Sequence, residues 1–264
     1  MFKVSCIQIC SGKNIKENLK ISKLLILKAI KNKSDLIITP ETSSLFGLNK
    51  KELLKKATTM QKDYYLTEIK QVSKKYKKWI LIGSVVVREK NKIKNRSVLI
   101  NPKGKIETFY DKIHMYDANL SKKEKYYESK VFSKGKLFTS VNLPWGKLGF
   151  TICYDLRFPS MYRNLSRKGC LFISVPSAFT NTTGKKHWHS LLRARAIENF
   201  CYIFAPAQQG THWNKRKTFG HSLIISPDGK ILKELKKGNG IITAKIDPIL
   251  SKTLRKRIPS LSKN

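Results

Sequence analysis

The first forty residues already restrict the chain to few architectures. Phe2, Val4 and Cys6 alternate with Lys3 and Ser5, so residues 2–9 read as a strand with one apolar side. Ile15, Leu19, Ile26 and Ile30 then recur at helical spacing among lysines across residues 15–31. A short apolar run, Asp35 to Thr39, follows and ends in Pro40-Glu41. Strand, helix, strand is the opening of an α/β fold, in which each helix buries its apolar stripe against a sheet.

The remainder keeps the same grammar. Residues 50–77 form a second helical region, with lysines on its outer face, and Trp79 to Val87 is a strongly β-forming run. Asn101-Pro102-Lys103-Gly104 is a turn between Arg96–Ile100 and Lys105–Tyr110, which predicts a hairpin. Strands are expected at 137–142 and 147–153 across Pro144-Trp145-Gly146. Helix 160–168, strand 171–175, helix 187–199 and strand 201–207 come next. A hairpin at 219–226 and 230–235 turns on Pro227-Asp228-Gly229, and a strand at 241–246 closes the pattern. From Leu250 the tail is basic, with only Leu254, Ile258 and Leu261 apolar. No repeat, low-complexity linker or domain boundary interrupts residues 1–264, so one domain of mixed sheets with outer helices is expected.

Composition excludes several classes. With 41% apolar and 27% charged residues the chain is globular rather than disordered. Runs such as Leu24-Leu25-Ile26-Leu27 are far too short to cross a bilayer, and the strand pattern begins at Phe2 without a secretory leader. Cys6, Cys10, Cys153, Cys170 and Cys201 are scattered, odd in number and without a CxxC pair, which points to free thiols, a reducing compartment and the cytoplasm. The net charge of +37 invites a nucleic-acid reading. The lysines are spread along the chain, however, and no zinc finger, RRM signature or basic zipper is present. Weak salt-sensitive binding is expected, and no specific nucleic-acid partner.

Three reactive residue types each follow a strand. Glu41 follows Leu36 to Pro40, Lys112 follows Ile106 to Tyr110, and Cys153 follows Leu148 to Ile152. In Gly149 to Pro159, β-branched Thr151 and Ile152 lead to the cysteine, and Pro159 is placed to open a helix. A sulfur at such an elbow sits above the sheet edge, where the positive end of the helix favours its thiolate; a buried core cysteine is the alternative. Taken singly, Glu41 and Lys112 are ordinary solvated residues. Together the three mark strand ends, where α/β proteins assemble sites.

Pro40-Glu41, Asp111-Lys112-Ile113-His114 and Cys153-Tyr154-Asp155-Leu156-Arg157-Phe158-Pro159 resemble, in order and spacing, the Glu, Lys and Cys motifs of the nitrilase superfamily of carbon–nitrogen hydrolases. The resemblance runs on through Pro176-Ser177-Ala178-Phe179, His187-Trp188, Leu192 to Asn199, Ala205 to Gln208, Gly220-His221-Ser222 and Arg257 to Leu261. It is strongest toward the branch of deaminated-glutathione amidase and ω-amidase. It implies an α-β-β-α sandwich, with two mixed sheets between outer helix layers, that forms a homodimer or higher homo-oligomer. It also implies hydrolysis of a linear amide through a thioester on Cys153, with release of ammonia and no metal or organic cofactor. Glu41 would move the protons, and Lys112 with the backbone N–H of Tyr154 would hold the oxyanion. Glu128 matches a second glutamate that would keep Lys112 oriented and charged, with Glu124 as its neighbour and competitor.

Substrate choice points to Arg157, whose guanidinium suits a carboxylate, as in ω-amides or deaminated glutathione. Pairing with Asp155 is the structural alternative. Phe179, Thr180 and Thr183 are further candidate lining residues. The same triad would serve N-carbamoyl compounds or nitriles, and a basic interaction protein retaining the fold is the non-enzymatic alternative. His187-Trp188-His189 lacks a third ligand at convincing spacing, so no metal is expected.

Overall fold

A computed structural model describes residues 1–122 and 124–261. The first strand β1, Phe2–Gln8, leads through helix α1, Ile15–Lys31, to β2, Leu36–Ile38. Helices α2, Lys50–Lys56, and α3, Tyr64–Tyr76, precede three long strands: β3, Trp79–Glu89, β4, Lys92–Ile100, and β5, Ile106–Asp111. A small ribbon of β6, Asp117–Asn119, and β7, Lys125–Tyr127, comes next. The second half runs through β8, Ser140–Leu143, β9, Gly146–Phe150, α4, Pro159–Arg167, and β10, Cys170–Ser174. Helix α5, Asn181–Asn199, and β11, Tyr202–Ala205, lead to a second ribbon of β12, Gln209–Thr211, and β13, Lys217–Phe219. Strands β14, Ser222–Ile225, β15, Ile231–Leu235, and β16, Gly240–Ile246, precede the terminal helix α6, Pro248–Arg257.

Two six-stranded mixed sheets result, in the orders β16-β1-β2-β3-β4-β5 and β15-β14-β11-β10-β9-β8. The period-2 alternation read from the sequence sorts side chains between two cores. Phe2, Val4, Cys6, Leu36, Ile38, Leu81 and Leu99 join Leu148, Phe150 and Phe172 of the other sheet in the central core. Their neighbours Ile7, Ile37, Ile80, Ile82, Val98 and Ile100 face the opposite way, against Leu19, Ile26, Leu66 and Ile69 of α1 and α3. Helices α4 and α5 pack on β10, β11 and β14 of the second sheet. The architecture is thus the expected α-β-β-α sandwich with two mixed sheets.

Three segments depart from the sequence expectation. The helical region 50–77 is broken at Ala57, and Asp63 caps a new helix by accepting from the Leu66 N–H at 2.8 Å. Helix α5 starts at Asn181 rather than 187, capped by the Thr180 hydroxyl, because weak helix formers between Thr182 and Gly184 are held by tertiary packing. The basic tail contains α6, opened by Asp247-Pro248. Arg255 docks it by donating to the backbone carbonyls of Asn199, Phe200 and Cys170, so polar capping replaces the apolar stripe that would have announced a helix.

Gly83, at the bulge in β3, lets that strand pass directly beneath the Thr39-Pro40 turn that carries Glu41. A Cβ there would lie 1.9 Å from the Thr39 carbonyl oxygen and 2.7 Å from that of Pro40. Both obstacles are backbone, so Gly83→Ala is expected to destabilise the protein toward the upper end of the ~1–3 kcal/mol typical of overpacking. A urea midpoint unchanged from the parent protein would show that the turn has slack.

Candidate active site

Three strand ends and one turn converge. Glu41 lies three residues past β2, Lys112 directly after β5, and Cys153 three residues past β9; Glu128 begins the 3₁₀ turn Glu128–Lys130 that follows β7. Glu41, Lys112 and Cys153 are all buried, at 4%, 2% and 7% exposure. Lys112 Nζ donates to Glu41 Oε1 at 2.9 Å and to Glu128 Oε1 and Oε2 at 2.8 and 2.7 Å. Asn95 Nδ2 bridges the two acids, 2.9 Å from Glu41 Oε1 and 3.3 Å from Glu128 Oε1. Backbone N–H groups complete the set, from Ala178 to Glu41 Oε2 at 2.8 Å and from Tyr116 to Glu128 Oε2 at 2.6 Å. Glu124 takes no part: it accepts from the Tyr126 and Thr182 hydroxyls.

The electrostatics follow from this packing. Burial opposes charge on Glu41, yet Lys112 and hydrogen bonds from Cys153 and Asn95 hold its carboxyl below the usual range. Burial also opposes charge on Lys112, but Glu128 and Glu41 raise its affinity for the proton well above that of an ordinary lysine. Burial first, and then the Glu41 charge, push the Cys153 thiol up, against the pull of Lys112. The resting pair is therefore a neutral thiol beside an ionised carboxylate. The sequence favours a thiolate drawn by the positive end of a helix, with Lys112 free to stabilise negative charge. Two carboxylates already occupy the ammonium, however, and α4 begins only at Pro159, with the short 3₁₀ turn Cys153–Arg157 between.

The elbow is strained. Cys153 has φ +47°, a left-handed conformation that costs a non-glycine residue about 1–3 kcal/mol. Its N–H is held by the Pro176 carbonyl at 2.9 Å. Asp155, fully buried, braces both sides: it accepts from the Ile152 N–H and the Tyr110 hydroxyl, each at 2.8 Å, and from the His114 N–H at 3.1 Å. The His114 ring nitrogen Nδ1 is 2.7 Å from the same carboxylate, so one acid links the Cys153 elbow to the Lys112 loop. Asp155→Asn would turn an N–H₂ toward these donors. It is expected to cost at least the ~1.5–3 kcal/mol of one hydrogen bond to a charged group, read as a lower denaturation midpoint. Parent-like stability would mean that the brace is dispensable.

Cys153 opens onto two cavities. The larger, about 200 Å³, also includes Glu41, Lys112, Glu128, Phe46, Tyr126 and Arg216 on its wall. The smaller, about 10 Å³, is lined by all four residues assigned to substrate from the sequence: Arg157, Phe179, Thr180 and Thr183. It has room for about one water. The hydroxyls of Thr180 and Thr183 lie 2.8 Å apart and Thr180 caps α5, which leaves them a wall role. Arg157 is not bound to Asp155. Its NH2 lies 3.3 Å from His187 Nδ1 and its guanidinium over the rings of Phe179 and Tyr154, with no acid paired to it among the described residues.

Asn95, Asp155, Ala178 and Arg216 escaped the sequence reading as site residues. Asp155 and Ala178 lay within recognised motifs. Asn95 sits mid-strand and Arg216 in a basic turn, and neither position carries a local signal. The fold also brings His189 and His221 to one carboxylate oxygen of Glu234, at 3.0 and 2.6 Å, a cluster that sequence spacing concealed; His187 lies with Arg157 instead.

His212 is stacked at 3.9 Å on Phe46, a wall residue of the larger cavity. Its ring nitrogens lie 2.9 Å from the Ser11 carbonyl oxygen and 2.8 Å from the Thr218 hydroxyl. Burial, with Arg216 adding repulsion, pulls its pKa down to about 4. The unfolded chain takes up this proton near pH 6.5 and the folded protein only near 4, so stability falls as pH drops through that window, by about 3 kcal/mol. Thermal melts between pH 7 and 4.5 should show the slope, and His212→Gln should flatten it; an equal slope in both proteins would assign it elsewhere.

A thiol, an ionised acid and a caged ammonium thus share one cavity, carried on this four-layer sandwich. The model of the carbon-nitrogen hydrolase family matches residues 3–256, and the chain belongs to that family. It is 39% identical to a deaminated glutathione amidase of Synechocystis sp., over 97% of this chain and 96% of the relative. It is 37% identical to that of Yersinia enterocolitica, over 99% and 92%. Among solved structures, the NitFhit protein of C. elegans superposes with a TM-score of 0.93 at 32% identity; the alignment covers all of this chain and 65% of that fusion protein. Nit3 of Saccharomyces cerevisiae, a member of the nitrilase superfamily, superposes at 0.84 with 28% identity, over 98% and 94%. No helix among the described residues is long and apolar enough to cross a membrane.

Proposed function

We propose that this carbon–nitrogen hydrolase cleaves a linear amide through a thioester on Cys153. The observation that carries the proposal is the buried Glu41 carboxylate, which accepts from Lys112 and shares one cavity wall with the Cys153 thiol. Glu41 takes the thiol proton as sulfur attacks the carbonyl carbon. The tetrahedral oxyanion is held by Lys112 and the Tyr154 N–H, donors of a kind worth about 2.7–4 kcal/mol each in the transition state. Glu41 then returns the proton to nitrogen, the C–N bond breaks, and ammonia or an amine leaves. Water, deprotonated by Glu41, attacks the thioester; the C–S bond breaks and the sulfur recovers its proton. Glu128 positions Lys112 and keeps it charged, and no metal or organic cofactor enters the cycle.

The substrate is a small carboxylate-bearing amide of the ω-amide or deaminated-glutathione type. Support comes from the names of the relatives and from Arg157, which lies beside the nucleophile without an acid partner among the described residues. The chain acts as one domain over residues 1–264, as a homodimer in the cytoplasm; its five cysteines, all free, suit a reducing compartment.

The test is turnover of deaminated glutathione, 2-oxoglutaramate, an N-carbamoyl amino acid and a nitrile, with Cys153→Ala alongside. Amide turnover by the native protein and a loss of at least about 10⁴-fold in kcat for Cys153→Ala are expected, a size seen when a nucleophile is removed. Amide hydrolysis that survives Cys153→Ala would sink the covalent route.

A further inference from the structure

The cavity above Cys153 does not end at the triad. Arg216, in the turn between β12 and β13, and Tyr126, in β7, line both it and an outer cavity of about 420 Å³. The outer cavity is rimmed by Lys125, Lys215, Arg216 and Lys217, with Glu124 as its one acid among the described residues. Glu124 is engaged by Tyr126 and Thr182, which leaves the cations unbalanced. Arg216 is held by both rings and backbone. Its guanidinium lies between the rings of Phe46 and Tyr126, 5.2 and 4.9 Å from their centroids, and its NH2 donates to the Ala178 carbonyl at 2.9 Å. Its Nε–H is shut off from solvent and has no acceptor, and it forms no ion pair among the described residues.

A planar cation clamped between two rings, with unused donors and no counter-charge, is preorganised for a carboxylate. Its place matters as much as its charge. Arg157 and Arg216 lie in different cavities that meet at Cys153, so they cannot grip the same short group. Resting on the amidase reading above, we infer that Arg216, supported by Lys215 and Lys217, binds a second carboxylate, carried on the nitrogen side of the scissile amide. The preferred substrate is then a secondary amide whose leaving amine bears a carboxylate, a peptide-like amine, rather than a primary ω-amide that releases ammonia. Deaminated glutathione has this form, with one carboxylate on the acyl side and one at the glycine end. A primary ω-amide has nothing to offer the outer rim.

Binding separates this inference from the catalytic proposal. Cys153→Ala protein is titrated calorimetrically with deaminated glutathione and with its C-terminal carboxamide, which removes only the outer charge. The free acid is expected to bind at least tenfold more tightly, and in Cys153→Ala/Arg216→Gln the two compounds should bind alike. A purely structural role for Arg216, through Ala178, would weaken both compounds equally and preserve the ratio. The general field of a +37 chain would likewise survive Arg216→Gln. Equal affinities in Cys153→Ala, a ratio that persists without Arg216, or failure of both compounds to bind would each overturn the inference. Turnover of deaminated glutathione by the native enzyme reports separately on the Cys153 mechanism.

Discussion

The Lys112 ammonium, shut away from water, is held by one carboxylate on each side, Glu41 from the end of β2 and Glu128 from the loop after β7. An isolated buried ammonium is too costly to survive, and a buried carboxylate likewise; only the assembled set is tolerable. The positions of three distant chain segments are therefore mutually dependent. Asn95 and the N–H groups of Ala178 and Tyr116 complete the coordination, so each acid has fixed partners before any substrate arrives. A shift of any one segment would strand a charge in the core. Gly83, by letting β3 run against the Glu41 turn, serves the same end as the ion cluster itself.

Such fixity has a chemical consequence. Lys112, balanced by two acids, has little attraction left for a thiolate, and the cysteine rests protonated. In the proposed cycle the proton moves only as the carbonyl arrives, when negative charge passes from sulfur to an oxygen that Lys112 can reach. The ammonium is thus matched to the transition state more than to the free enzyme. The left-handed backbone at Cys153 belongs to the same design, since it turns the chain sharply off β9 while Asp155 ties the elbow to His114 and Tyr110.

Much of this was legible in the residues. Alternation in Phe2 to Cys6 and in Trp79 to Val87 located strands and their inner faces, because period-2 burial is a local property. Glu41, Lys112 and Cys153 could be picked out because three strand ends carry, in order and spacing, motifs that resemble those of one family. Asn95 could not, since nothing local separates a strand asparagine that touches two carboxylates from one that faces solvent. Arg216 failed to stand out for the opposite reason: in a chain with 54 lysines and arginines, one more cation in a turn carries no information. Helix α6 hid because Arg255 secures it through carbonyls rather than through an apolar stripe. In each case the missing information was a contact across many residues of sequence.

The charge distribution gives the cations on either side of Cys153 a role in the proposed reaction. Glu41, Glu128 and Lys112 together carry one net negative charge at the floor of the cavity. In a partly desolvated site that charge repels an anionic substrate strongly enough to offset much of what apolar contact provides. A carboxylate-bearing amide can approach such a floor only if cations of the wall receive its charges first. Arg157 and Arg216, in cavities that meet at Cys153 and without acids of their own among the described residues, are placed for this. The surface lysines contribute a diffuse field that salt weakens within a Debye length of about 8–10 Å. The two arginines instead share cavity walls with Cys153, where solvent screens them less. On the proposed reading, the large net charge of the chain and the selectivity of its site are therefore separate matters: the first speeds encounter with any anion, and the second depends on where two guanidinium groups are held.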